Sequence, residues 1–152
     1  LWLLLGGWVG SWACFGMVVA PTAFRVLPTT EVAGSLVGPV LTRLHLYGAA
    51  AGLGISGLSW LLRRGRVAVL LPLGMAAACL YSQFGVSGEI AEIRDLAFGP
   101  SGSEAVAARF AHLHRVSMGI YLAVSACTLV LVWVHARADT PPGERPAAAP
   151  GR

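Results

Sequence analysis

Four stretches of this chain carry no charged residue, and each is about as long as a lipid bilayer is thick. They are Leu1 to Phe24, Leu44 to Leu62, Val67 to Gly88 and Val116 to Val134, of 24, 19, 22 and 19 residues. A helix rises about 1.5 Å per residue, so about 20 apolar residues cross the roughly 30 Å hydrocarbon core. Lipid offers no hydrogen bonds to an open backbone, so runs of this length cross it as helices. Composition agrees: the chain is 56% hydrophobic and 12% charged, against about 25% charged for a soluble domain. Its mean hydropathy is +0.70. The expected fold is all-α, an integral membrane bundle of four transmembrane helices at about 1–24, 40–62, 67–88 and 113–135, with short connections. Residues 1–137 make this one domain. The tail, 138–152, is rich in Pro and Ala, has nothing to bury, and is expected to be disordered.

Local signals set the joints. The first run lacks the basic start and short apolar core of a signal peptide, so it is expected to stay as a helix. Pro21 should kink it and Pro28 end it. Thr29 or Thr30 can cap a short segment, with Glu31 in its first turn where the helix dipole favours a carboxylate. Pro39 suits the first turn of the next helix. Pro72 should kink the third helix, which is expected to continue past Glu89 until Gly99, Pro100, Ser101 and Gly102 break it. Ser103 is a candidate N-cap for the segment leading into the last helix. Gly48, Gly52 and Ser56 recur every four residues, a stripe suited to close contact with another helix, a second copy or a membrane partner.

Charge orients the bundle. Four spans put both termini on one side with Arg63, Arg64, Arg66, Arg137, Arg145 and Arg152. Arg25, Arg43, Arg94, Arg109 and Arg115 fall on the other side with Glu31, Glu89, Glu92, Asp95 and Glu104. Arginines packed into a very short turn are where the positive-inside rule is strongest, so both termini are expected in the cytoplasm, across the inner membrane of a bacterium. Trp2, Trp60 and Trp133 would form an interfacial belt on that side.

The composition excludes several functions. No basic run is interleaved with aromatics, which argues against nucleic acid. No nucleophile elbow, HExxH, P-loop or Rossmann glycine pattern occurs, so no enzyme is expected. Cys14, Cys79 and Cys127 are far apart in apolar runs and read as packing residues.

The polar residues that remain gather near the last helix. A helix places His114, Ser117, Met118 and Tyr121 on one face, which should turn inward or sit at the interface. Arg109 and Arg115 should pair with acids of the third-helix extension. His114, Ser117, Arg115, Arg25, Glu89 and Glu92 are therefore the candidate polar patch, with no cofactor required. The alternative is a haem- or copper-binding redox subunit using His45, His112, His114 and Met118, because imidazole and thioether suit those metals.

Residues 8–48, with Trp8, Gly10, Pro21, Arg25 and Leu27–Pro28, and residues 109–122, with Phe110, Leu113, His114 and Ser117, resemble the transmembrane-protein-205-like family. The resemblance implies a four-helix membrane domain of unassigned function and favours His114 over His112 and His45. The expected function is non-enzymatic handling or sensing of a small solute or ion, or stabilisation of a partner.

Overall fold

The computed structural model describes residues 1–99 and 102–140, apart from the side chains of Asp95 and Phe98. Four helices, and among the described residues no strand, make up the fold. Helix α1 is Trp2–Val26, interrupted by a π turn at Phe15–Val19. Helix α2 is Thr30–Leu61. Helix α3 runs Arg66–Tyr81, passes through a second π turn at Ser82–Ser87, and continues as Gly88–Phe98. Helix α4 is Glu104–Asp139. Each packs on the next, and α1 closes the ring against α4.

The joints follow from local chemistry. Thr29 caps α2, its hydroxyl accepting from the Val32 N–H at 3.2 Å, and Ser103 caps α4 through the Val106 N–H at 3.3 Å. Both satisfy a donor that a helix start leaves without an intrahelical partner. Ahead of Pro21, the Ala20 N–H reaches back five residues to Phe15. Pro21 would crowd the carbonyl of Met17, which lies inside that widened turn. Between α2 and α3, the Arg64 N–H bonds Ser59 O and the Arg63 N–H bonds Trp60 O. This is a Schellman-type ending in which Arg63, at φ 53°, occupies the left-handed position usually held by glycine.

Every helix outruns its apolar stretch. The expected short segment at 29–38 and the second helix are one helix of 32 residues that passes through Pro39. Loss of one backbone donor at an exposed proline does not break a helix that is capped and packed on both sides. The last helix begins at Glu104, and it extends through Asp139, two residues into the expected tail. From residue 141 the tail lies outside the described residues, as do Pro100 and Ser101 of the expected break.

Three helices are long and apolar enough to cross a membrane: Trp2–Val26, Arg66–Arg94 and Glu104–Asp139. Helix α2 falls outside that group because glycines, serines, His45 and Trp60 dilute its apolar residues. It is also the helix that buries most small and polar positions, among them Ala33, His45, Gly48, Ala51, Gly52, Ser56 and Ser59. That buried face packs on α1 and α3, while Leu46, Leu53, Trp60 and Leu61 stay exposed on the other side.

The Gly48–Gly52–Ser56 stripe faces α3 of the same chain. The Ser56 hydroxyl donates to the Val69 carbonyl, and Gly52 lies against Pro72 and Ala76. The main core joins Leu5, Trp8, Trp12 and Phe15 of α1 to Leu44, Ile55, Met75, Cys79, Val124 and Leu131. A smaller cluster, Val86, Ile90 and Leu113, holds α3 to α4 towards the loop end. At the opposite, terminal end the Trp2 indole donates to Asp139 at 2.9 Å, and Arg64 pairs with the same carboxylate. One aspartate thus ties the start of α1, the α2–α3 turn and the end of α4 together.

Candidate functional site

Helix α1 directs Leu5, Trp8, Trp12 and Phe15 inward, at i, i+3, i+7 and i+10 of one helical face. Trp12 is the hub. Its ring stacks on Tyr121 of α4 with centroids 4.9 Å apart, and it stands edge-on to His45 of α2 at 5.8 Å. Phe15 stands edge-on to Tyr121 at 5.7 Å, and the Tyr121 hydroxyl donates to the Trp12 carbonyl at 2.6 Å. Gly48, one turn beyond His45, admits both indoles. A Cβ there would lie 3.1 Å from Trp8 Nε1, 3.1 Å from Cys79 Sγ and 3.4 Å from Trp12 Cζ2.

His45 is fully buried, and among the described residues neither ring nitrogen has a hydrogen-bond partner. Trp8 Nε1, Trp12 Nε1, Ser82 Oγ and Gln83 Oε1 are buried in the same condition. The antiparallel register of α2 and α3 connects these groups. Ser56 meets Val69, Gly52 meets Pro72 and Ala76, and Gly48 meets Cys79; one turn further, His45 falls level with Ser82 and Gln83. Leaving a polar group buried and unpaired costs about 1–3 kcal/mol, so a cluster of them is not a product of packing alone. The two π turns bound the cluster: Phe15–Val19 holds Gly16 against Tyr121, and Ser82–Ser87 begins with Ser82 itself. An extra residue in a helical turn re-aims side chains, and such turns recur at functional sites. The cluster can donate from two indoles, an imidazole and a hydroxyl, and can accept at the second imidazole nitrogen and at Gln83.

The candidate patch of the sequence is only partly assembled. Arg109 does pair with the α3 extension, through Nε to Glu89 Oε1 at 2.7 Å and Nη2 to Oε2 at 3.0 Å. Ser117 is buried. His114, Arg115, Arg25 and Glu92 are exposed, and His114 stacks on Phe110 with planes 3° apart. The face expected to carry His114, Ser117, Met118 and Tyr121 inward therefore divides. Ser117 faces in and Tyr121 is half-buried, whereas His114 and Met118, 46% exposed, face out. The buried stripe of α4 is instead Leu113, Ser117, Val124, Thr128, Leu131 and His135.

The haem or copper ligand set does not converge. His45 is interior, His112, His114 and Met118 are exposed, and among the described residues no three His, Cys, Asp or Glu side chains come together to hold a metal. The four named donors therefore do not meet at one point in this structure.

His135 escaped the sequence reading. It is fully buried at the terminal end, edge-on to Trp2 at 6.5 Å. Its signal was its place at the end of the α4 stripe. A second helix beginning at about residue 40 puts His45 within its first two turns, near a helix end. With α2 starting at Thr30 it lies about four turns in.

No curated protein and no solved structure matches the chain. Residues 3–98 match a family described as a domain of unknown function (DUF4149). The matched span contains Trp8, Trp12, His45, Gly48, Cys79 and Ser82, and ends before the Tyr121 and His114 helix. With more than half of its length inside that match, the chain belongs to the DUF4149 family of unknown function.

Proposed function

We propose that this is a non-enzymatic, multi-pass membrane protein that handles or senses a small solute or ion at the His45 cluster. All four helices cross the bilayer in this reading, with α2 carried across by its contacts with α1 and α3. Both termini face the cytoplasm of a bacterium, as the arginine-rich turn favours. The likeness of residues 8–48 and 109–122 to the transmembrane-protein-205-like family belongs to the same proposal. One observation carries it: a fully buried imidazole edge-on to Trp12, in which neither imidazole nitrogen nor the Trp12 indole N–H has a hydrogen-bond partner among the described residues. A solute bearing an acceptor, or an ion with its water, would satisfy these groups. The outer patch of His114, Ser117, Arg115, Arg25, Glu89 and Glu92 is then the entrance rather than the binding centre. A membrane partner, or a second copy, would dock on a lipid-facing side, because α3 already covers the Gly48–Gly52–Ser56 stripe.

A thermal-shift titration of the detergent-purified protein with small anions, monovalent cations and neutral amides tests the reading. At 100 times its dissociation constant a ligand adds about 2.7 kcal/mol of stability. The expected result is a saturable shift for at least one solute, lost in His45→Leu and kept in His114→Ala. A shift that survives His45→Leu, or no shift with any solute, would overturn it.

A further inference from the structure

The turn between α2 and α3 is more than a topological marker. Beside it lies an open groove of about 840 Å³, whose wall includes Ser59, Trp60, Arg63, Arg66, Val69 and Leu70. Three features of this groove point to an anion at one end. Arg64 is taken by Asp139, but among the described residues Arg63 and Arg66 have no acidic partner, and both are exposed. Helix α3 opens at Gly65 with no side-chain cap and no acid in its first turn. Its first N–H groups therefore keep the positive end of the helix dipole unneutralised. Ser59 is fully buried in the groove wall, and its hydroxyl has no hydrogen-bond partner among the described residues.

The rest of the groove is apolar. Trp60 is 70% exposed and Leu70 60% exposed, and Leu70 lies on a helix long and apolar enough to cross a membrane. An indole beside arginines at the end of an apolar helix is the arrangement found at the headgroup level of a bilayer. A free phosphate would use the basic end and leave the apolar wall without a partner. A phospholipid uses both.

We propose that this groove holds one anionic phospholipid of the surrounding bilayer, its phosphate set between Arg63, Arg66 and the uncapped amides that open α3. The acyl chains run along Val69 and Leu70, and the Ser59 hydroxyl donates to a glycerol ester oxygen. The site is separate from the His45 cluster and does not depend on it, but it rests on the reading that α2 crosses the bilayer beside α3.

Native mass spectrometry of the full chain in detergent, with equal amounts of phosphatidylglycerol and phosphatidylcholine, tests it. One phosphatidylglycerol per chain is expected to stay bound in preference to phosphatidylcholine. The double variant Arg63→Gly, Arg66→Gln should weaken it roughly 30-fold, the effect of two cations facing an anionic headgroup. Glycine suits the left-handed turn position of Arg63, so this variant relieves the turn rather than unfolding it. Ser59→Ala should weaken binding about 5-fold, the worth of one hydrogen bond. Arg137→Gln, at the same end of the bundle but outside the groove, should leave it unchanged. Equal retention of phosphatidylcholine, full binding by the double variant, or an equal loss in Arg137→Gln would overturn the proposal. So would displacement of the lipid by millimolar inorganic phosphate, which would make the groove a phosphate site.

Discussion

The Tyr121 ring lies parallel to the Trp12 ring, within 5°, while its hydroxyl donates to the Trp12 backbone carbonyl at 2.6 Å. One side chain of α4 thus holds α1 by two different forces, and substitution can separate them. Tyr121→Phe keeps the stack and loses the hydrogen bond, so it should cost about 0.5–1.5 kcal/mol. Tyr121→Ala loses both and opens a cavity beside Trp12 and Phe15, so it should cost about 3–5 kcal/mol. Chemical or thermal unfolding in detergent would measure both. Equal costs for the two variants would mean that the stack contributes nothing.

Glycines on opposite faces of α2 should respond with opposite signs. A Cβ on Gly52 would sit 2.6 Å from the Pro72 carbonyl oxygen and 3.0 Å from the Ala76 methyl. Backbone cannot swing aside as a side chain does, so Gly52→Ala must push α3 away, at about 1–3 kcal/mol. Gly57 meets nothing within 4 Å, so Gly57→Ala should stabilise the helix by about 0.5–1 kcal/mol. The same unfolding assay reads both, and a common sign would contradict the close approach of α2 and α3.

His45 should be dispensable for folding even though it is the centre of the candidate site. Replacing an imidazole whose two nitrogens are buried and unpartnered by an apolar side chain of similar size removes a standing desolvation cost of about 1–3 kcal/mol per group. His45→Leu should therefore unfold no earlier than the parent chain. His114→Ala, at an exposed position, should change stability by no more than about 0.5 kcal/mol. A large loss in His45→Leu would show that the imidazole has a strong partner within the folded chain.

Much of this architecture is legible in the residues, and the parts that are not share a cause. The caps at Thr29 and Ser103 and the small-residue stripe are local signals, and the structure uses all of them. Helix lengths were underestimated because charged residues such as Arg25, Arg43 and Glu89 end an apolar run without ending a helix, whose hydrogen bonds are indifferent to polarity. That error moved His45 from the middle of its helix to near a helix end of the expected bundle. The choice between His114 and Leu113 as the inward residue is a rotation of 100° about α4. Both faces run on through Ser117, and only the packing partners, Val86 and Ile90 of α3, decide in favour of Leu113. The π turns have no sequence signature of comparable strength. Pro21 marks the first, whereas Ser82–Ser87 contains no proline at all.

The orientation of the bundle is open to direct labelling. Trp2, Arg64 and Asp139 meet at one end, so the first residues of α1, the α2–α3 turn and the close of α4 must share a side. The starts of α2 and α4, capped by Thr29 and Ser103, should share the other. Single cysteines would be placed at the half-buried Thr140 and the exposed Arg66, Glu31 and Ala105, Arg66→Cys and Thr140→Cys at the first end, Glu31→Cys and Ala105→Cys at the second, after Cys14, Cys79 and Cys127 are changed to Ala. A membrane-impermeant maleimide added to intact bacterial cells should label the Glu31 and Ala105 variants. The Arg66 and Thr140 variants should label only after the cells are permeabilised, because the compact run of Arg63, Arg64 and Arg66 resists translocation. The reverse pattern would put the termini outside. Arg66 and Thr140 reporting from opposite faces would leave an odd number of crossings between α3 and α4, and the paired arrangement of spans would fail.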